Sequence, residues 1–294
     1  MNDLKPWLKS KQKEVDAALG RLLPRENTRP VTIHKAMRYS VFAGGKRLRP
    51  ILCLAAAEAC GGKIENALAP ACATEVMHTY SLVHDDLPCM DDDDLRRGRP
   101  TSHKVFGEGL AVLTGDALLT EVFTMIAQTP PTKRFSVKDY VEEIAITGGS
   151  RKLIGGQVLD LEGEGKKLTK KDLVRIHEAK TAALLTAAVR LGAMTANATP
   201  RKLEALTTFG YNLGLAFQVI DDILDVTQTT EMLGKTAGKD EAVDKSTYPA
   251  ILGLDASRKE AARLTRKALK SLEVFGNKAN RLEQISRYLL EREY

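Results

Sequence analysis

The chain has 294 residues, 43% hydrophobic and 28% charged, a balance that supports a sizeable folded core and argues against disorder. Its net charge of +6 comes from basic residues interleaved with acids and accompanied by few aromatics, which excludes a nucleic-acid-binding face. Four cysteines without metal-ligand spacing exclude a disulfide framework, no apolar run reaches bilayer length, and the first 24 residues lack a signal or transit pattern, so a cytoplasmic protein without a membrane span is expected.

Helical spacing runs through nearly the whole chain, and strand alternation is nearly absent. Thr32 caps a predicted helix carrying Ile33, Met37 and Val41, which stops at Gly44-Gly45. Gly44 to Pro50 (GGKRLRP) then places Lys46, Arg47 and Arg49 beside a flexible turn, an arrangement suited to phosphate oxygens. Asn66 caps the next helix, whose stretch from Ala71 to Val83 is apolar around most of its circumference, as at the centre of a bundle. It runs into Asp85-Asp86-Leu87-Pro88-Cys89-Met90-Asp91. Pro88 disfavours helix at Leu87, so the helix should end near Asp86 and Asp91 should return on a loop towards Asp85. Arg96-Arg97 follow at once.

Pro130-Pro131 marks a loop, Ser136 with Asp139 reads as a capping box, and Glu162 to Lys167 marks a second loop. Thr169 precedes the helix that contains Lys180 and Thr181. Thr199-Pro200 opens another, apolar from Leu213 to Ile223, which carries the second acidic cluster Asp221-Asp222-Ile223-Leu224-Asp225. No linker divides the chain, and one all-helical domain over residues 1–294 is expected.

On an ideal helix Asp221 and Asp225 stand about 40° apart, with Gln218 about 60° to the other side of Asp221. Carboxylates walled in by Phe217, Val219, Ile220, Ile223 and Leu224 repel one another unless a cation intervenes. Position 6 of a calcium loop counted from Asp91 is Arg96, not glycine, which excludes an EF-hand. Magnesium fits better, because it takes carboxylate oxygen and shares its coordination with substrate phosphates. His78, two turns before Asp85, reads either as a satisfied core histidine or as a donor to an anion. His84 reads as structural.

Taken in order, GGKRLRP (Gly44 to Pro50), HDDLPCMDDDDLRRGRPT (His84 to Thr101), GGQVLD (Gly155 to Asp160), Lys180-Thr181, FQVIDDILD (Phe217 to Asp225), Leu233-Gly234-Lys235 and Lys245-Ser246-Thr247 resemble the trans-prenyl diphosphate synthases, above all the bacterial farnesyl diphosphate synthases. The resemblance implies an all-α isoprenoid-synthase bundle around a deep central cavity, usually homodimeric. It implies that Asp85 and Asp91 (with Asp86) and, opposite them, Asp221 (with Asp222 and Asp225) hold Mg²⁺, three ions per site with Mn²⁺ able to substitute, on an allylic diphosphate. By the same resemblance Arg96, Lys180, Thr181, Gln218 and Lys235 contact that diphosphate, while Lys46, Arg49, His78 and Arg97 bind isopentenyl diphosphate.

Product length is expected to depend on Tyr80, about 7–8 Å below Asp85 along the helix. In the family an aromatic residue there accompanies a fifteen-carbon product, while its small neighbour Ser81 leaves room. The expected reaction is therefore condensation of isopentenyl diphosphate with dimethylallyl and then geranyl diphosphate to give farnesyl diphosphate. Geranylgeranyl diphosphate synthesis is the alternative. A terpene cyclase has no need of the Gly44 to Pro50 cations, and a non-catalytic partner subunit could lose its metal ligands.

Overall fold

The computed structural model describes residues 3–227 and 247–291. Its helices are α1 (Leu4–Leu22), α2 (Val31–Val41), α3 (Leu48–Cys60), α4 (Ile64–Asp85), α5 (Ser102–Phe106), α6 (Glu108–Ala127), α7 (Val137–Gly148), α8 (Leu153–Gly163), α9 (Lys170–His177), α10 (Ala183–Thr195), α11 (Pro200–Thr227), α12 (Tyr248–Leu252), α13 (Leu254–Ser271) and α14 (Asn280–Glu291). A π-helical segment, Glu178–Ala182, joins α9 to α10, and a 3₁₀ segment, Leu272–Ala279, precedes α14. The strands among the described residues are β1 (Leu95–Arg96) and β2 (Arg99–Pro100), an antiparallel pair.

The apolar girdles expected on two helices are where the bundle has its centre. α4 packs against α3, α6 and α10, while α11 packs against α10, α13 and the π segment, so α10 lies between the two acidic helices. Ala71, Cys72, Ala73, Val76 and Met77 of α4, and Leu213, Val219 and Ile223 of α11, are buried. Burial on nearly every side is what an all-round apolar helix requires.

Local signals hold where a side chain caps. Ser136 and Thr169 each form a capping box, with Asp139 and Asp172 respectively, and the Thr199 hydroxyl accepts from the Lys202 N–H at 3.4 Å. Thr32 and Asn66 instead fall inside helices whose N-caps are Pro30 and Lys63, both in extended backbone. Those two helices begin earlier because the extended residue, rather than a side-chain acceptor, sets the boundary.

One helix departs from the sequence reading. α6 spans 20 residues, reaches a mean hydropathy of 1.6 over an 18-residue stretch, and is long and apolar enough to cross a membrane by length and composition. It nevertheless carries Glu108, Asp116 and Glu121, and its buried face, through Gly115, Leu118 and Val122, packs on α4. The thiols of Cys53, Cys60 and Cys72 are pushed up by burial, as inert core groups are, whereas Cys89 is exposed.

Candidate active site

α4 ends at Asp85, and the chain turns back as the Pro88 argument requires: the Asp91 N–H donates to the Asp85 carbonyl at 2.8 Å and the Asp93 N–H to the Asp86 carbonyl at 3.2 Å. Backbone hydrogen bonds thus fold the first acidic cluster onto itself. Asp92 sits at φ 47, the left-handed region that a short polar side chain tolerates. Burial raises the Asp85 carboxyl to about 6; Asp91 and Asp86 push the same way, against Lys180 and Arg96.

Asp86 turns away from solvent, 4% exposed, and accepts from the Arg96 guanidinium, which also reaches Asp93 at 3.0 Å. The next residue takes a different path. Arg97 and Gly98 are the two turn residues between β1 and β2, with φ 55 and 73, the sign a primed hairpin turn demands. The Arg97 guanidinium donates to the Gly44 carbonyl and lies against Gly45, where a Cβ would meet it at 2.4 Å. The glycine pair and the arginine pair, far apart in sequence, therefore form one basic corner.

Only part of the GGKRLRP run serves that corner. Arg47, 3% exposed and at φ 51, pairs with Asp16 and Glu75 at 2.8 Å each and donates to the Val41 carbonyl. It is a core ion pair, which the count of three available cations did not foresee. Arg49 differs: its Nε is buried without a protein hydrogen-bond partner, and burial lowers its guanidinium to about 10, with Arg97 adding to the fall and Glu75 and Asp221 opposing it. His78 is held well below its ordinary value by burial and by the guanidiniums of Arg49, Arg97, Arg96 and Arg47. A buried cation with an unused donor beside a neutral imidazole is a site for an anion. Lys46 is exposed nearby in sequence.

Arg49, His78, Tyr80, Ser81, Asp85, Lys180 and Thr181 line one cavity of about 460 Å³. Most of its remaining wall is apolar, from Val112 on α6 to Leu153, Ile154, Val158 and Leu161 on α8. Lys180 enters from the π segment and is anchored to Asp160 at 2.6 Å. Two close approaches fix that segment: a Cβ at Gly156 would stand 2.4 Å from the Lys180 nitrogen, and one at Gly214 would stand 2.5 Å from the Ala182 Cα. A larger cleft of about 680 Å³, between α7, α10 and α11, contains none of these motif residues.

On α11 the helical step brings Gln218 to Asp222, not to the Asp221 and Asp225 face singled out along the chain, and Asp225 is buried at 5% exposure. The Thr181 hydroxyl donates to Gln218 at 2.9 Å, and the Gln218 amide donates to Asp222 at 3.1 Å. Asp222 also accepts from the Tyr248 N–H at 3.0 Å and is 4% exposed, so it ties α11 to α12. Asp221 is half-buried and its charge acts on Arg49, a lining residue of the cavity, but neither it nor Gln218 lines that cavity itself. Lys235 and Lys245 lie outside the described residues.

Two groups escaped the sequence reading. Gln157, within GGQVLD, lines the cavity with a buried Oε1 that has no hydrogen-bond partner. Asp92, Asp94 and His103 each bring a ligand atom within 4.8 Å of the others, the kind of group that can hold a cation, although Asp94 already pairs with Lys104 at 2.7 Å. Only the nearness of Asp92 and Asp94 was visible along the chain.

The comparisons with known proteins agree with this arrangement. The geranylgeranyl pyrophosphate synthase of Capsicum annuum is 51% identical over 267 residues, 90% of this chain and 72% of that one. The geranylgeranyl diphosphate synthase of Cyanophora paradoxa is 44% identical, covering 99% of this chain and 97% of its own. The crystal structure of geranylgeranyl pyrophosphate synthetase from Pyrococcus horikoshii superposes with a TM-score of 0.90 at 30% identity, over 99% of both chains. The polyprenyl synthetase family model matches residues 30–288. With its two acidic helices, its basic corner and a cavity lined by Asp85, Arg49 and Lys180, the chain belongs to the polyprenyl synthetase family of trans-prenyl diphosphate synthases.

Proposed function

We propose that the protein extends allylic diphosphates with isopentenyl diphosphate and releases geranylgeranyl diphosphate. The observation that carries the chemistry is the single cavity with Asp85, Arg49, His78 and Lys180 among its polar groups and apolar walls on α6 and α8. The twenty-carbon product is supported by the relatives named above as geranylgeranyl synthases, one at 51% identity. Farnesyl diphosphate is the second reading, favoured by the aromatic Tyr80 in the cavity.

The donor set suits a divalent cation. Asp85 and Asp91 offer hard carboxylate oxygens brought together by backbone bonds, and the Asp85 carboxyl is raised first by burial and then by the neighbouring Asp91 and Asp86, which a cation between them would relieve. In this reading Asp85, Asp91 and Asp221 would hold Mg²⁺, which when bound supplies positive charge to the departing diphosphate. Lys180, Thr181 and Gln218 orient the allylic diphosphate, joined by Arg96 once it is drawn from Asp86. Arg49, with its spare Nε–H, and His78, Arg97 and Lys46 bind isopentenyl diphosphate. The walls of α6 and α8 keep water from the allylic cation while the isopentenyl double bond attacks. Asp86 and Asp222 position these groups from behind. We propose a homodimer as well, for which Leu113 on α6, 57% exposed, offers apolar surface, to be checked by light scattering.

The test is incubation of purified protein and Mg²⁺ with labelled isopentenyl diphosphate and each allylic primer, followed by sizing of the products. A twenty-carbon end product is expected. A fifteen-carbon end product overturns the geranylgeranyl reading in favour of the farnesyl one, and no elongation from any primer overturns both.

A further inference from the structure

The cavity wall below Asp85 is two layers deep. Tyr80 and His84, one helical turn apart on α4, both line it, and their rings meet edge to face with centroids 5.9 Å apart at 86°. Behind His84 stands α6. The imidazole Nε2–H donates to the Val112 carbonyl at 2.9 Å, and the ring lies directly on the helix backbone at Gly115. A Cβ there would stand 2.0 Å from Nε2 and 2.2 Å from Cδ2, so only glycine admits the imidazole.

We propose that Gly115 and His84 are positioning residues that hold the Tyr80 ring across the cavity and thereby set how long a prenyl chain the protein makes. The inference rests on the elongation reading above. Tyr80 is 4% exposed, and the imidazole that is its ring partner among the described residues stands against α6 through Val112 and Gly115. A methyl group at position 115 must displace the imidazole, because it is the end of a side chain whereas the α6 backbone is fixed by its own hydrogen bonds. Tyr80 blocks the inward direction. The imidazole, on a side chain 29% exposed, moves outward towards the exposed Asp116, now 3.8 Å away, and leaves the tyrosine unsupported.

The experiment sizes products from His84→Ala, Gly115→Ala, the double variant and Tyr80→Ala, with Asp116→Asn as control. Each single variant at positions 84 and 115 is expected to raise the fraction of products at least one isoprene unit longer several-fold over wild type. The double variant should go no further than His84→Ala, since the added Cβ falls in the space the imidazole vacated, and Asp116→Asn should match wild type. His84→Gln, which retains a donor for Val112 but no ring, gives the same test should the alanine variant fold poorly. The readout is a product ratio, so a slower enzyme does not mimic the effect.

Unchanged product length in both single variants overturns the proposal, as does a Gly115→Ala effect that persists undiminished without His84. Elongating wild type with unaltered variants removes this inference alone. A wild type that never elongates removes the functional reading and the inference with it.

Discussion

The two acidic clusters reach the same end by different construction. On α11 a continuous helix does the placing, and its periodicity brings Gln218 to Thr181, a lining residue of the cavity, and to Asp222. At the end of α4 the helix stops, and backbone hydrogen bonds from Asp91 to Asp85 and from Asp93 to Asp86 do the placing. Both share one division of labour. In each Asp-Asp pair the second residue is 4% exposed and spends its oxygens on donors, Arg96 for Asp86, Gln218 and the Tyr248 N–H for Asp222, while the first is only half-buried, Asp85 lining the cavity and Asp221 acting by its charge on Arg49. Adjacent carboxylates on a helix point about 100° apart, so one faces the ligand and the other braces the wall.

Separating the two kinds of aspartate tests that division. Asp85→Ala and Asp221→Ala are expected to lower kcat/KM by about a thousand-fold or more, since each removes charge aimed at the reacting group; steady-state kinetics at saturating Mg²⁺ measures it, and a loss below ten-fold would break the assignment. Next in size is the structural cation of the basic motif: Arg47→Ala strands Glu75 in the core and should cost about 3–5 kcal/mol, read by denaturant unfolding. Arg49→Ala, in contrast, should leave the unfolding midpoint near wild type and raise KM for isopentenyl diphosphate.

Asp222→Ala leaves two donors unpaired and should cost about 1–3 kcal/mol in stability, with a smaller drop in turnover than Asp221→Ala. The smallest effect concerns pH. The Asp85 carboxyl is raised from 3.8 to about 6, so on raising the pH the unfolded chain loses this proton first and the folded form is progressively disfavoured up to about 6. Asp85→Asn removes that penalty: without metal its Tm should exceed wild type by about 2–4 °C at pH 7.5, and the gap should close below the 3.8 of the free carboxyl.

Much of this architecture was legible along the chain, for identifiable reasons. The break after Asp86 follows from Pro88, the helix starts at Ser136, Thr169 and Thr199 from side-chain acceptors, and the approach of Gln218 to the second acidic cluster from a 100° step. The rest depends on partners distant in sequence. Arg47 and Arg49 sit two residues apart in one motif, yet the left-handed backbone at Arg47 sends it to Asp16 and Glu75, which no local pattern announces. The bracing role of Asp222 needs Tyr248. The π segment that carries Lys180 depends on Gly156 and Gly214 from two other helices.

The Lys180–Asp160 ion pair at 2.6 Å has a consequence for discrimination. The lysine is already neutralised from within, so an incoming anion must outcompete a resident carboxylate for it. A lone phosphate or carboxylate merely matches what it would displace and gains little. In the elongation reading proposed above, a pyrophosphate would bring several oxygens at once and win the exchange, so the resting site would turn away abundant small anions before any size selection takes place.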